Sequence, residues 1–461
     1  MIPLTVAEIA EITGAACDPG ADLAAVVSGP VIIDSRQAEP GSLFAALPGS
    51  RADGHEFAPQ AVAAGAAVLA TRPCGVPALI VPDVPAALAA LAQAVTARLP
   101  RLTIAAITGS AGKTTTKDLT AQLVESLGAT VSPRASFNNE IGHPLTVLRV
   151  TEQTRYLIAE MSARGHGHIT ALCAMSPPRL GAVLCVGHAH AGEFGSIDDV
   201  ARAKGELPAA LPADGVAVLN ADDQRVLAMA KRTAARVVTF GRSPGADVRA
   251  ADVVLDDAGR PGFSLITQAG DAPVQLQLHG EHNVANALAA ATLAGQLGMD
   301  LAAVAAGLSA ATARSRWRME VTHRPDGVTV INDAYNANPE AVAAALSALA
   351  TMARGRRAFA VLGHMTELGA QADDLHEQAG RQAARAGLAG LVVVGEEAAP
   401  MLEGAKADSS WHGELVHVPD AAAAAAAVAE RVRRGDVVLV KASRAANLQR
   451  VALALTGEMP L

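Results

Sequence analysis

Read as alternating apolar and polar positions, the chain falls into three stretches of short apolar runs separated by helical segments. In the first hundred residues "GPVIIDSR" predicts a strand running into a polar turn, and "APQAVAAGAAVLA" a helix followed by a buried strand. "TARLPRLT" closes this unit near residue 100. The β-rich run "TIAAIT" then leads into a glycine-containing polar loop, and "KTTTKDLTAQLVESLG" follows with apolar residues at helical spacing and a glycine stop. The runs "YLIAE", "GAVLCVG", "GVAVLN" and "RVVTFG" alternate with helical segments, which predicts a mostly parallel sheet with crossover helices. Residues 246–280 change character, to "FSLIT" and "VQLQLHG", and are expected to form an antiparallel appendage before a long helix at "HNVANALAAATLAGQLG". From "SRWRMEV" onward the strands "VTVIND", "AFAVLG", "LVVVG", "ELVHV" and "DVVLVK" alternate with helices, as in a doubly wound unit. The alanine run 421–427 follows Asp420, a helix-capping residue, and ends in a basic turn, so it reads as an ordinary helix. The expectation is an α/β protein of three domains, 1–99, 100–313 and 314–461: a small α/β unit, a central P-loop unit with a mostly parallel sheet, and a Rossmann-like doubly wound unit.

Composition sharpens this picture. Of 461 residues, 51% are hydrophobic but only 2% aromatic, so Ala, Val and Leu must fill the cores. That suits layered α/β packing better than an aromatic-cored β-sandwich. A net charge of -8 argues against a nucleic-acid partner, while leaving anionic small substrates open to local donors. The four cysteines, Cys17, Cys74, Cys173 and Cys185, form no CxxC pair, which fits a reducing cytoplasm and gives no zinc site. The N-terminus lacks the basic region of a signal peptide, and each apolar run is interrupted before about 18 residues. Cytoplasmic localisation without membrane insertion is expected.

The loop after "TIAAIT" carries the clearest chemistry. "ITGSAGKTTTK" lacks the glycine that the usual Gly-x-x-x-x-Gly-Lys-Ser/Thr spacing would place at 107, where Ile107 stands. Strand, loop and helix nevertheless make an anion nest: Gly109, Ser110, Ala111 and Gly112 would bring backbone N–H groups to phosphate. Lys113 would reach the outer phosphates, and Thr114, followed by Thr115, would offer its hydroxyl to a metal ion. Glu160 ends the strand "YLIAE" at the edge where parallel sheets gather ligands, though a strand-end Glu is often only solvated. "CVGHAHAGEFGS" holds His188 and His190, metal ligands or merely exposed. Lys204 in "ARAKGE" reads by itself as a surface charge. Asn283 and Asn286, one helical turn apart, suit adenine or ribose, or Asn283 caps a helix. "NDAYNANP" brings Asp333, Tyr335, Asn336 and Asn338 to a strand end, with Pro339 opening the next helix.

Taken together, these motifs resemble the Mur ligase family over essentially the whole chain. "TGSAGKTTT" matches its shortened phosphate loop. "SFNNEIGHPLT", "GEHNVANALAAA" and "NDAYNANP" look like the branch that adds D-alanyl-D-alanine. "DSRQAEPGSLFAALPGSRADGHEFAPQAVAAGA", with Ser35 and Arg36, is similar to the UDP-binding domain shared with the tripeptide-forming branch. That branch typically has "DYAHTPD" and a later "DNPR", which this chain lacks. The resemblance implies ATP and Mg2+ as cofactors. It implies UDP-N-acetylmuramoyl-tripeptide and D-alanyl-D-alanine as partners of a monomeric, ATP-dependent ligase working through an acyl phosphate. By position, Lys113 and Thr114 would hold phosphate and magnesium, Glu160 would be a magnesium ligand, and His190 would serve a second magnesium. Lys204 would match a carbamylated lysine, which reverses its bland reading. Asn283 and Asn286 would contact adenine, Arg318 and Asp333 phosphate and ribose, and Asn139 the reacting phosphate. Tyr335, Asn336 and Asn338 would shape the acceptor side. A folylpolyglutamate synthase-like ligase and a P-loop switch are the rival readings. The chain departs from the family pattern at His364, where aspartate is usual, and at Gly192-Glu193, where Glu-Gly is usual.

Overall fold

The computed structural model describes residues 1–49, 52–134, 136–188 and 191–459, the side chains of residues 191 and 193 excepted. Three main sheets follow one another along the chain. The first has five short strands in the order Ala16–Cys17, Leu79–Ile80, Ala67–Ala70, Leu43–Ala45 and Val31–Ile32, parallel except for the outermost pair at Ala16–Cys17. Its helix Val84–Ala97 starts on an Asp83 cap with Pro85 in the first turn, and buries Leu88, Leu91 and Val95. Those side chains pack in one core with Leu145, Val147, Leu148 and Leu157 of the central unit. The first unit is thereby fastened to the second by a continuous apolar seam.

The central sheet has nine strands. Seven run parallel, in the order Thr130–Val131, Tyr156–Glu160, Thr103–Thr108, Leu180–Val183, Val216–Asn220, Arg236–Gly241 and Val248–Leu255. Pro261–Thr267 and Gly270–Gln275 then add antiparallel, so the expected appendage extends the same sheet. Period-2 alternation is plain in Thr103–Thr108. Ala105 and Ile107 join the core beneath helices Lys113–Val124 and Asn283–Gln296, while Ala106 joins a cluster on the opposite face. Small alanine side chains let the layers approach, in keeping with the aromatic-poor composition.

The third sheet runs Glu320–His323, Thr329–Asn332, Val437–Lys441, Ala358–Gly363, Gly390–Val394 and Glu414–Val418, parallel apart from the antiparallel first pair. Helices cover both faces. The last strand in sequence inserts beside Thr329–Asn332, so the loops after those two strands meet at one carboxyl edge. The alanine-rich helix Ala421–Arg431 begins as expected, the Asp420 side chain accepting from the Ala423 N–H. None of the helices among the described residues is long and apolar enough to cross a membrane.

Candidate active site

The carboxyl edges of the second and third sheets face one another across a cavity of about 1250 Å³, which Ile33 of the first unit also lines. At its centre Gly112 has φ +81 and caps helix Lys113–Val124. A Cβ there would come within 2.2 Å of Asn286 Oδ1, and one on Gly109 within 2.9 Å of Leu184 Cβ. Both glycines are therefore required by close approach, and Gly112 by its left-handed backbone as well. Ser110 Oγ accepts from Gly187 N at 2.8 Å, and the Ser110 N–H donates to Cys185 O at 3.0 Å. The neighbouring strand end thus braces the loop. Ala111 and Thr115 line the same cavity.

Lys113 Nζ lies 2.6 Å from Gly109 O, folded over its own loop. Burial pushes its ammonium below the usual range, with the Glu160 carboxylate opposing. Thr114 Oγ1 donates to Glu160 Oε2 at 2.9 Å, and Asn138 Nδ2 donates to Glu160 Oε1 at 2.6 Å. Glu160 is 1% exposed and held from both sides. Lys204 is 2% exposed and has neither a hydrogen bond nor an ion pair among the described residues. Its amine is pushed down to about 7, first by burial and then by the Lys113 charge. The lone surface charge of the sequence is a buried amine near the phosphate loop. His190 lies outside the described residues.

Asn283 and Asn286 do share a face, and the cap is His282 rather than Asn283. Asn283 Nδ2 donates to His279 O at 2.8 Å and Asn286 Nδ2 to Asn283 Oδ1 at 2.9 Å, which locks both amides beneath the loop. Asn139 Oδ1 accepts from Gly142 N at 2.9 Å, so it is its neighbour Asn138 that reaches Glu160. In the first unit Ser35 Oγ donates to Gln60 Oε1, and Arg36 pairs with Asp34 while largely exposed. Neither lines the cavity.

The third unit supplies the opposite wall. Trp317 (φ +59) and Met319 (φ +50) both take the left-handed backbone, strained for large side chains, and between them Arg318 is turned into the cavity. Its Nη2 donates to Ser136 Oγ at 2.9 Å, and its guanidinium lies 4.3 Å from the Tyr335 ring centroid; its Nε has no partner among the described residues. Ser136 Oγ in turn lies 3.2 Å from Thr114 Oγ1. Asp333 accepts from Lys441 Nζ at 2.6 Å and from Met319 N at 3.0 Å, and Lys441 also donates to Asn336 O. Asn338 caps helix Pro339–Met352 through the Ala341 N–H and donates to Ser110 O at 3.3 Å, joining the two walls. Arg444 stacks on Trp317 at 4.1 Å. Gly192 meets Gly369 of the third unit so closely that a Cβ at 192 would lie 2.4 Å from Gly369 N, which accounts for glycine at that position. His364 uses its main-chain oxygen to accept from Ser443 N.

Several residues here were not singled out by the sequence reading: Ser136, Asn138, Glu340, Lys441 and Arg444. Asn138 stood beside a chosen residue, and Lys441 ends a strand that the apolar pattern finds. The rest carry no local signal.

Residues 107–294 match the Mur ligase middle domain, 317–444 the Mur ligase glutamate ligase domain, and 30–108 the Mur ligase family catalytic domain. The UDP-N-acetylmuramoyl-tripeptide--D-alanyl-D-alanine ligase of Mycobacterium tuberculosis is 50% identical, over 99% of this chain and 98% of its own. The Escherichia coli ligase of the same name is 36% identical, over 99% of both chains. Among solved structures, MurF from Acinetobacter baumannii superposes with a TM-score of 0.86 at 29% identity, covering 99% of each chain. The MurF ligase of Thermotoga maritima in complex with ADP gives 0.80 at 28% identity, over 94% of this chain and 98% of that one.

Proposed function

The chain belongs to the Mur ligase family, and from that premise we propose that it joins D-alanyl-D-alanine to the terminal carboxylate of a UDP-N-acetylmuramoyl-tripeptide. ATP is consumed, and the product is the UDP-linked pentapeptide precursor of peptidoglycan. The same reading takes the protein to be a cytoplasmic monomer. What carries the reading is the meeting, in one cavity, of the phosphate loop with Thr114 and Glu160 on one wall and Arg318 on the other.

A carboxylate is a poor electrophile. Its oxygen attacks the γ-phosphorus of ATP, the bond to the ADP oxygen breaks, and an acyl phosphate results. The dipeptide amine then forms a C–N bond to the acyl carbon, and phosphate leaves with the C–O electron pair. Two anions must be brought together for the first step, so positioning and charge neutralisation are the enzyme's task. The loop Gly109–Thr115 cradles the phosphates, Lys113 offsets their charge, and Arg318 reaches them from the third unit. Asn283 and Asn286 line the adenine side and Asp333 the ribose. Asn139 stands near the reacting phosphate, while Tyr335, Asn336 and Asn338 shape the acceptor side. Ser35 and Arg36 belong to the UDP-binding unit.

Thr114 and Glu160 present only hard oxygen atoms, 2.9 Å apart beside the loop, which fits magnesium. Thr114 and Glu160 would hold one ion and His190 a second, together with Lys204 as its carbamate. When bound, magnesium screens the phosphate charge. A Lys204 amine lowered to about 7 is available uncharged, so its nitrogen can bond to carbon dioxide and release a proton, which leaves a carboxylate-like group.

Phosphate release from ATP is expected to require both the UDP-linked tripeptide and D-alanyl-D-alanine. Release with either one alone at the full rate would refute the reading.

A further inference from the structure

Glu340 stands in the first turn of helix Pro339–Met352 and lines the cavity. Its Oε1 accepts from the His188 N–H at 2.9 Å and lies 2.7 Å from His188 Nδ1. Its Oε2 is buried and has no hydrogen-bond partner among the described residues. A carboxylate oxygen withheld from water and left bare is costly, and a cation relieves that cost. The surroundings fix where this acceptor sits. Gly187, whose Cα the carboxylate overlies, donates to Ser110 Oγ, and Asn338, two residues before Glu340, donates to Ser110 O. Glu340 is therefore held beside the phosphate loop from both walls of the cavity. Next to it on the same helix, Ala341 and Ala344 line the cavity with small apolar side chains.

We propose that Glu340 is the group that receives the incoming dipeptide's ammonium and takes its proton, with His188 as the residue that positions it. This rests on the ligase reading above. An N-terminal amine has an ordinary pKa of about 8, so D-alanyl-D-alanine arrives largely as an ammonium that has no lone pair to attack with. One N–H proton passes to the Glu340 carboxylate, whose side chain is 38% exposed, and the freed lone pair forms the C–N bond to the acyl phosphate carbon. The C–O bond to phosphate breaks with its electrons on phosphate, and the remaining surplus N–H proton leaves to the departing phosphate. Ala341 and Ala344 supply a floor suited to a methyl side chain. Glu160 and Asp333 in the same cavity are each held by donors of the protein, so the Glu340 carboxylate is left to take the substrate end that is positive.

The test uses the full-length enzyme with ATP, magnesium, UDP-linked tripeptide and one of two nucleophiles: D-alanyl-D-alanine, or hydroxylamine, which is already neutral near neutral pH. Glu340→Gln is expected to raise KM for the dipeptide and lower kcat with it, together at least about tenfold in kcat/KM. Hydroxamate formation and the KM values for ATP and tripeptide should stay near wild type. Gly187→Ala, whose Cβ would meet Glu340 Cδ at 2.6 Å, should give a milder version of the same split. Equal loss with both nucleophiles, a raised KM for the tripeptide, or no change with the dipeptide would each overturn the assignment. If the wild-type enzyme needs no dipeptide for full phosphate release, the ligase reading itself fails.

Discussion

A side chain on Gly112 meets two obstacles at once: a backbone at φ +81 and the Asn286 amide 2.2 Å from the first added carbon. Gly112→Val is expected to abolish ATP binding while leaving the fold cooperative; calorimetric titration giving wild-type affinity would refute the phosphate-loop assignment. Lys204 makes a different case, because nothing about its local sequence separates it from a surface lysine. Only the fold buries it to 2% exposure and brings it within reach of the Lys113 charge, where its amine falls to about 7. Lys204→Ala is expected to lose activity by at least about a hundredfold, since on the proposed reading a magnesium ligand is removed. Partial recovery on adding acetate or formate would be the signature of a missing carboxylate. A variant that is fully active without them eliminates the carbamate role. Legibility divides along the same line. The loop around Gly112 was readable because strand, turn and helix are consecutive, whereas the Asn138–Glu160 contact depends on which of two adjacent asparagines a turn aims inward.

At the scale of elements, the site is made by strand ends. The apolar runs announced most strands of the second and third sheets, and Asp420 and Pro339 announced their helix starts, whereas the short strand Thr130–Val131 and helix Gly142–Val147 went unannounced. Strand order was not announced. Lys441 neutralises Asp333 from 108 positions away only because the strand Val437–Lys441 inserts beside Thr329–Asn332. Helix Gly142–Val147 shows how such an element is fixed from below. His143 is 1% exposed, its Nε2 lies 2.7 Å from Ser176 Oγ, and its N–H donates to Asn139 O. Burial pushes its imidazole down to about 4 from 6.5. The fold therefore refuses a proton that the unfolded chain accepts, so stability is complete above 6.5 and falls as pH drops toward 4. The loss is on the order of 3 kcal/mol at most. His143→Asn should be less stable than wild type at pH 7 yet show a shallower fall between pH 6.5 and 5 in urea denaturation. Identical slopes would show that His143 is not the group responsible.

Across the whole molecule, the segment joining the second and third units is tied to the phosphate-loop helix itself. Gln122 Nε2 donates to Thr312 O at 2.9 Å, and its Oε1 accepts from Thr312 N at 3.1 Å. Arg314 pairs with Glu125, and Ser315 Oγ donates to Asp118 Oδ2 at 2.6 Å. Asp118 is itself buried against Lys117, so this anchor is stiff. Beyond it come the strained residues Trp317 and Met319 that aim Arg318 at Ser136. Only the few residues after Ser315 separate this anchor from Arg318, so the phosphate-loop helix and Arg318 are joined by a short, tethered arm. Exposed hydrogen bonds of this kind contribute little to stability, roughly 1 kcal/mol each, but they set where the turning begins. A Gln122→Ala, Ser315→Ala double variant should melt within a few degrees of wild type. It should nevertheless lose about tenfold in kcat and show a larger radius of gyration by X-ray scattering before nucleotide is added. If the variant keeps both its kcat and its scattering profile, the anchored linker does not govern closure.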